Sequence, residues 1–202
     1  MGEQSSLNLT NHFLIAMPGM LNDSFDQSLI YICEHNAQGA LGLVINKPID
    51  ITLQQLFEKV DLEASDRIQQ YNAPVYYGGP VQVERGFVLH IGGNTVKEDS
   101  TQTAEEPFSA TLQVTADIGM TSSKDILEAI AQGKGPDQFL IVLGYAGWGA
   151  GQLEGELAQN SWLTVKARPE IIFDIPAADR YNRAMALLGI TPQSLVSTAG
   201  HA

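Results

Sequence analysis

Cys33 and His35 stand two residues apart in the stretch Ile32 to Asn36 (ICEHN). On an extended strand, residues i and i+2 point to the same face, so the thiol and the imidazole would lie side by side. An imidazole beside a thiol raises the thiolate fraction, which is the minimum for a cysteine nucleophile. His90, at the end of another apolar run, is a second histidine that Cys33 could use. It could also complete a Cys/His/His metal site with Glu34 or Asp23 nearby. The competing reading is structural. Cysteine is among the most often buried residue types, and His35 would then bond within its own hairpin. We favour it, because two ligating residue types at i and i+2 are a weak signal.

A second group of residues lies in the glycine-rich stretch Gly144 to Gly151, which follows a very apolar run and leads into a helix pattern. Backbone amides at such a turn can hold phosphate. The stretch lacks the Gly-Lys-Ser/Thr ending of a P-loop, and Gly147, Gly149 and Gly151 alternate instead of following a dinucleotide fingerprint. Gln152, Glu154 and Glu156 follow at once, placing negative charge where an anion would want none. A tight strand-to-helix turn with Trp148 packed against it is the favoured reading, and Trp148 and Gln152 are the residues that would line a pocket there. Lys47 and Arg85 are basic residues next to strand ends in an acidic chain. Each can anchor an anion or, more commonly, pair with a carboxylate. Tyr76 and Tyr77, beside Gly78 and Gly79, suit a groove but more often mean packing.

The elements that position these groups follow from apolar periodicity and turn signals. Strands are expected over Phe13–Met17, Leu29–Cys33, Leu41–Ile45, Pro74–Tyr77, Gly86–Ile91, Thr111–Thr115, Phe139–Leu143, Trp162–Val165 and Ile171–Ile175. Residues Glu34 to Gly39 read as the turn of a hairpin. Thr52 with Gln55 has the form of a capping box opening a helix that buries Leu53, Leu56, Phe57 and Val60. A second helix starts after Ser122 and ends at Gly133 or Gly135, a third carries Leu153 and Leu157, and a last one runs from Pro176 to Gly189. Asp61 to Asn72 reads as a surface connection and Gly92 to Ser109 as the most mobile loop. Strands outnumber helices and no regular βαβα repeat appears, which indicates α+β.

Composition narrows the function classes. Lys and Arg number 11 against 23 Asp and Glu, a net charge of −12 spread along the chain. Capture of nucleic acid relies on clustered basic residues, so direct nucleic-acid binding is disfavoured, and binding to anionic membranes with it. Lys166 and Arg168 are the nearest thing to a basic cluster. One cysteine allows no internal disulfide and no Cys-cluster zinc site. The first eleven residues lack a signal-peptide layout, and no apolar run approaches the ~18 residues that span a bilayer. A cytoplasmic protein is expected.

Several segments taken together resemble a known family. They are residues 13–18 (FLIAMP), 32–36 (ICEHN), 42–48 (GLVINKP), 78–81 (GGPV), 85–90 (RGFVLH), 143–148 (LGYAGW), 151–154 (GQLE) and 160–163 (NSWL). In this order, over about residues 7 to 190, the chain resembles the YqgE/AlgH family of uncharacterised bacterial proteins. The resemblance implies a mixed β-sheet with flanking helices in a three-layer α/β/α part, plus a smaller two-layer α+β lobe. It also implies a cytoplasmic bacterial protein, and one branch of the family bears a label as a regulator of alginate production. It supplies no catalytic residues.

The resulting expectation is one domain over 1–202, with a smaller lobe within about 50–120 and flexible ends at 1–8 and 196–202. Its function is that of a non-catalytic binding or regulatory module with a protein or small-molecule partner. No cofactor and no metal are expected. His35, Lys47, Arg85, His90, Trp148 and Gln152 are the candidate ligand-binding residues. One alternative is a thiol- or histidine-dependent hydrolase using Cys33 with His35 or His90; another is an indirect transcriptional regulator.

Overall fold

The structure, a computed structural model, describes residues 7–18, 25–71, 73–92 and 108–191. The expected flexible ends fall on residues 1–6 and 192–202 for the most part, and the expected mobile loop on residues 93–107; these lie outside the described residues, as does Asp23.

Ten strands and six helices are formed among the described residues. The strands are β1 (His12–Ala16), β2 (Leu29–Asn36), β3 (Gly39–Val44), β4 (Pro48–Thr52), β5 (Pro74–Tyr77), β6 (Val81–Ile91), β7 (Thr111–Gln113), β8 (Ile118–Thr121), β9 (Phe139–Gly149) and β10 (Trp162–Lys166). The helices are α1 (Leu53–Lys59), α2 (Asp66–Gln69), α3 (Lys124–Ala131), α4 (Gln152–Ala158), α5 (Pro169–Phe173) and α6 (Ala177–Leu187). The strands join in the order β10-β1-β2-β3-β9-β6-β8-β7, with β5 also on β9 and β4 on β5. All pairs are antiparallel except β5 with β9, so the sheet is mixed and the fold is α+β.

Strand β9 holds this sheet together. Its first half, Phe139 to Leu143, lies between β5 and β6, while Ala146 to Gly149 pairs with β3. The exchange of partner occurs at Gly144, whose φ of +75° and contact with the Gly79 carbonyl leave no room for a Cβ. Burial follows the strand period of two. Phe13, Ile15, Leu29 and Tyr31 face a core shared with Ile172, Ala184 and Met185 of α5 and α6. The intervening Leu14, Ala16, Ile30 and Ile32 face Leu153 of α4 together with Trp148 and Trp162. On the other half of the sheet, α1 and α3 cover Val75, Val88 and Ile141. The capping box of α1 forms as expected, Thr52 Oγ1 accepting from Gln55 N–H and Gln55 Oε1 from Thr52 N–H.

Several elements differ from expectation for local reasons. The hairpin turn is only two residues, and Glu34 to Asn36 continue β2. Gly144 to Gly149 is strand: Ala146 and Trp148 are buried while Gly147 and Gly149 are exposed, a period of two hidden by the glycines. Ile171 to Ile175 is mostly helix, opened by Pro169 at the first helical turn and burying the adjacent Ile171 and Ile172. Strands β4 and β8 were not expected at all, and the connection over residues 61–72 contains α2.

Candidate functional site

The β2–β3 hairpin separates the two residues that spacing placed together. Ile32 pairs with Gly42, but Glu34 pairs with Leu41 and His35 with Ala40, so a β-bulge sits at Cys33. One extra residue reverses the facing of everything beyond it. Cys33 packs with Tyr31 and Leu43 on the α5–α6 side, while His35 points to α4. The thiol is buried, donates weakly to the Tyr31 carbonyl, and has its pKa pushed up by burial and then by Glu34. That is the opposite of an activated cysteine.

His35 is a buried tie. The Leu9 N–H donates to Nδ1 at 3.0 Å, so the ring proton lies on Nε2, which donates to Glu154 Oε1 at 3.0 Å. The His35 N–H donates to Thr10 Oγ1. One side chain therefore joins the segment before β1 to α4. The Glu154 carboxyl is held below the usual range first by its own backbone N–H, against some desolvation, and then by His35.

The other candidates are dispersed. His90 is buried between β6 and β8, with Nε2 2.9 Å from Thr121 Oγ1, which in turn bonds Thr111 Oγ1 at 2.7 Å. Burial lowers its pKa, offset in part by the backbone of Ile91 and Gly92; Nδ1 makes no hydrogen bond of good geometry among the described residues. Arg85 donates to Gln82 Oε1 and Ser122 Oγ and lies 5.3 Å from the Phe87 ring centroid. Lys47 lines a shallow hollow with Asp26, Asn46 and Tyr181, and its pKa is lowered by burial and raised by Asp26. Among the described residues no three His, Cys, Asp or Glu side chains converge as a metal site, and Cys33, His35 and His90 do not meet.

Trp148 and Gln152 do meet. They line a cleft of about 700 Å3 between the second half of β9, α4 and the start of β10, together with Met17, Phe25, Pro80, Gln159 and Trp162. Its volume lies in the range of small-molecule sites. At its wall Glu156 Oε2 accepts from Trp148 Nε1 at 2.9 Å and from Trp162 Nε1 at 2.8 Å, while Oε1 accepts from Gln152 Nε2 at 3.1 Å. Gln152 Oε1 accepts the Gly149 N–H, closing the strand-to-helix turn. The two indoles meet edge to face at 6.1 Å, and Phe25 packs on Trp162 at 5.7 Å.

Sequence reasoning missed Glu156 and Trp162 as site residues. The i, i+4 spacing of Gln152 and Glu156 on α4 was an available signal. It also missed Arg180, a buried arginine that donates to the Ile175 and Ile45 carbonyls and lies over the Tyr76 ring, tying α6 to the end of β3. No local pattern marked that contact.

The AlgH-like family profile matches residues 13–193 of the chain. A UPF0301 protein of Ralstonia nicotianae is 54% identical over 198 residues, 97% of this chain and 96% of the relative. One of Paraburkholderia phymatum is 52% identical over 196 residues, again 97% and 96%. The solution structure of the AlgH protein from Pseudomonas aeruginosa matches over 100% of both chains with a TM-score of 0.72 and 45% identity. A crystal structure of a Corynebacterium diphtheriae protein, at 19% identity, shares the fold with a TM-score of 0.66 over 89% of this chain and 86% of that one.

Proposed function

From the premise that the chain belongs to the AlgH-like family, whose relatives' names state no activity, we propose that it is a non-catalytic binding module. Its ligand, or a segment of a protein partner, enters the cleft beside Trp148 and Gln152. The observation that carries this reading is the cleft itself, about 700 Å3 in volume and walled by Phe25, Trp148 and Trp162. Aromatic walls with a few oriented polar groups are what binding sites in proteins commonly offer.

The hydrolase alternative draws less support. Cys33 is 1% exposed and faces away from His35, and His90 bonds a threonine. Any influence on transcription is proposed to run through a partner, since a net charge of −12 opposes contact with DNA. A cytoplasmic location belongs to the same proposal, supported by a chain with one cysteine and hence no internal disulfide. Among the described residues no helix is long and apolar enough to cross a membrane. The layering implied by the family resemblance, a three-layer part with a smaller two-layer lobe, is proposed as well. Helices on both faces of β10-β1-β2-β3, and α1 and α3 on the outer face of β5, β9 and β6, support it.

The test is a thermal-melting screen of the protein against amines, amino acids, nucleotides, sugars and carboxylic acids, with Gln152→Ala alongside. A compound that raises the melting temperature of the native protein, and does so less in the variant, is expected. No shift from any class, with no partner retained on the immobilised protein, would sink the proposal.

A further inference from the structure

The charge in the cleft is unbalanced. Among the described residues Glu156 is the one ionisable side chain on its wall, and the other described lining residues include no Lys, Arg or His. Three N–H groups fix the carboxylate, but the two indoles and the Gln152 amide are all neutral donors. They orient the charge without cancelling it. Among the described residues the ion pair formed within 4.0 Å is His35 with Glu154, so Glu156 has none. A carboxylate offers about four acceptor positions, and three are used here. One position and the whole negative charge are left for something in the cleft.

Building on the binding reading above, we infer that the cleft takes an organic cation, a guanidinium or alkylammonium group that pairs with Glu156. Such a group has N–H donors for the remaining acceptor position and an apolar stem to lie along the walls. Cations are also drawn to the faces of aromatic rings, and Phe25, Trp148 and Trp162 all line the cleft. An anion finds no basic side chain among the described residues of the wall and meets a protein of net charge −12. A hard metal ion wants several oxygen ligands, and the described residues of the wall supply a single carboxylate. Sheltering by the walls reduces the screening that weakens exposed pairs.

The chain has two tryptophans, and both line this cleft, so intrinsic fluorescence reports on its occupancy. Butylguanidinium would be titrated in low salt against its neutral isostere butylurea. A capped Gly-Arg-Gly peptide would be paired in the same way with its citrulline analogue. A saturable fluorescence change with the cations is expected, at least tenfold weaker with the neutral partners and tenfold weaker in Glu156→Gln. Glu154→Gln should bind as the native protein does. Tenfold tighter binding of the peptide than of butylguanidinium would assign the cation to a protein partner's arginine; the reverse would assign it to a free amine or guanidine. If Glu156→Gln does not fold, loss of affinity of the native protein with rising salt gives the same information. Equal binding of butylurea, or undiminished binding by a folded Glu156→Gln, overturns the cation while leaving a binding cleft. No response to either cation overturns it too, and the broader melting screen then decides whether the cleft binds anything else.

Discussion

Two glutamates of α4, two residues apart, sit in regions of opposite character. Glu154 closes a corner: it accepts from His35, whose other ring nitrogen accepts from Leu9. Every polar atom of that imidazole is satisfied by the chain, and the result is a tie between the first described segment and a helix. Glu156, on another face of the same helix, is gripped as firmly but by neutral donors, and it borders an open cleft. A histidine beside a carboxylate looks like chemistry in a sequence, and a tryptophan beside a glycine looks like packing. The histidine proves to be a structural tie, as the favoured reading had it, and the tryptophan packs in the core while also lining the cleft. The distinction is whether the fold itself completes the hydrogen bonding and charge of a group, or leaves part of both open to the cleft.

The largest expected break in this comparison is on the cleft side. Trp162→Ala removes a 4%-exposed indole from the core shared with Leu14, Ile30 and Leu153 and takes away one of the three donors of Glu156. It should cost about 3–5 kcal/mol in urea unfolding. A much smaller loss would mean that the cleft wall is not part of the core.

On the corner side, His35→Ala strands the buried Leu9 N–H, and a loss of about 2 kcal/mol is expected. Hydrogen exchange should quicken at Leu9 and Thr10 before it does in β9. Equal exchange in native and variant protein would show that the corner is no tie.

A third test uses pH. Burial lowers the pKa of His90 below its ordinary value of about 6.5, so the unfolded chain binds the proton more readily than the folded one. The stability that neutral His90 contributes is complete above about 6.5 and is lost as pH falls from there through the folded pKa. His90→Gln, which keeps a donor for Thr121, should flatten unfolding free energy over that window. An unchanged slope would refute the assignment. The smallest effect belongs to Gln152→Ala. This exposed residue should change stability by no more than about 0.5 kcal/mol, yet it should shift the emission of Trp148 through its link to Glu156.

Much of the fold was legible because its signals are local. The buried stripe of β1, the capping box at Thr52, the span of β5 and the stop at Gly189 each depend on a few adjacent residues. The site was less legible. Trp148 and Gln152 were singled out from a turn that proved to be strand for most of its length; both line the cleft, but the element is not the one expected. Cys33 and His35 failed as a pair because a bulge is a property of two strands in register, and one strand's sequence does not display it.

What the sequence determined by itself was an acidic α+β chain with recognisable relatives, since composition, periodicity and motif order need no partner in space. Only the tertiary structure decided which polar groups are finished and which are open. Arg180 reaches Ile45 across 135 residues, His35 reaches Glu154 across 119, and the cleft draws on residues from Met17 to Trp162. Burial, hydrogen-bond completion and charge balance are sums over neighbours in space, and chain order does not specify those neighbours until the sheet has closed around β9.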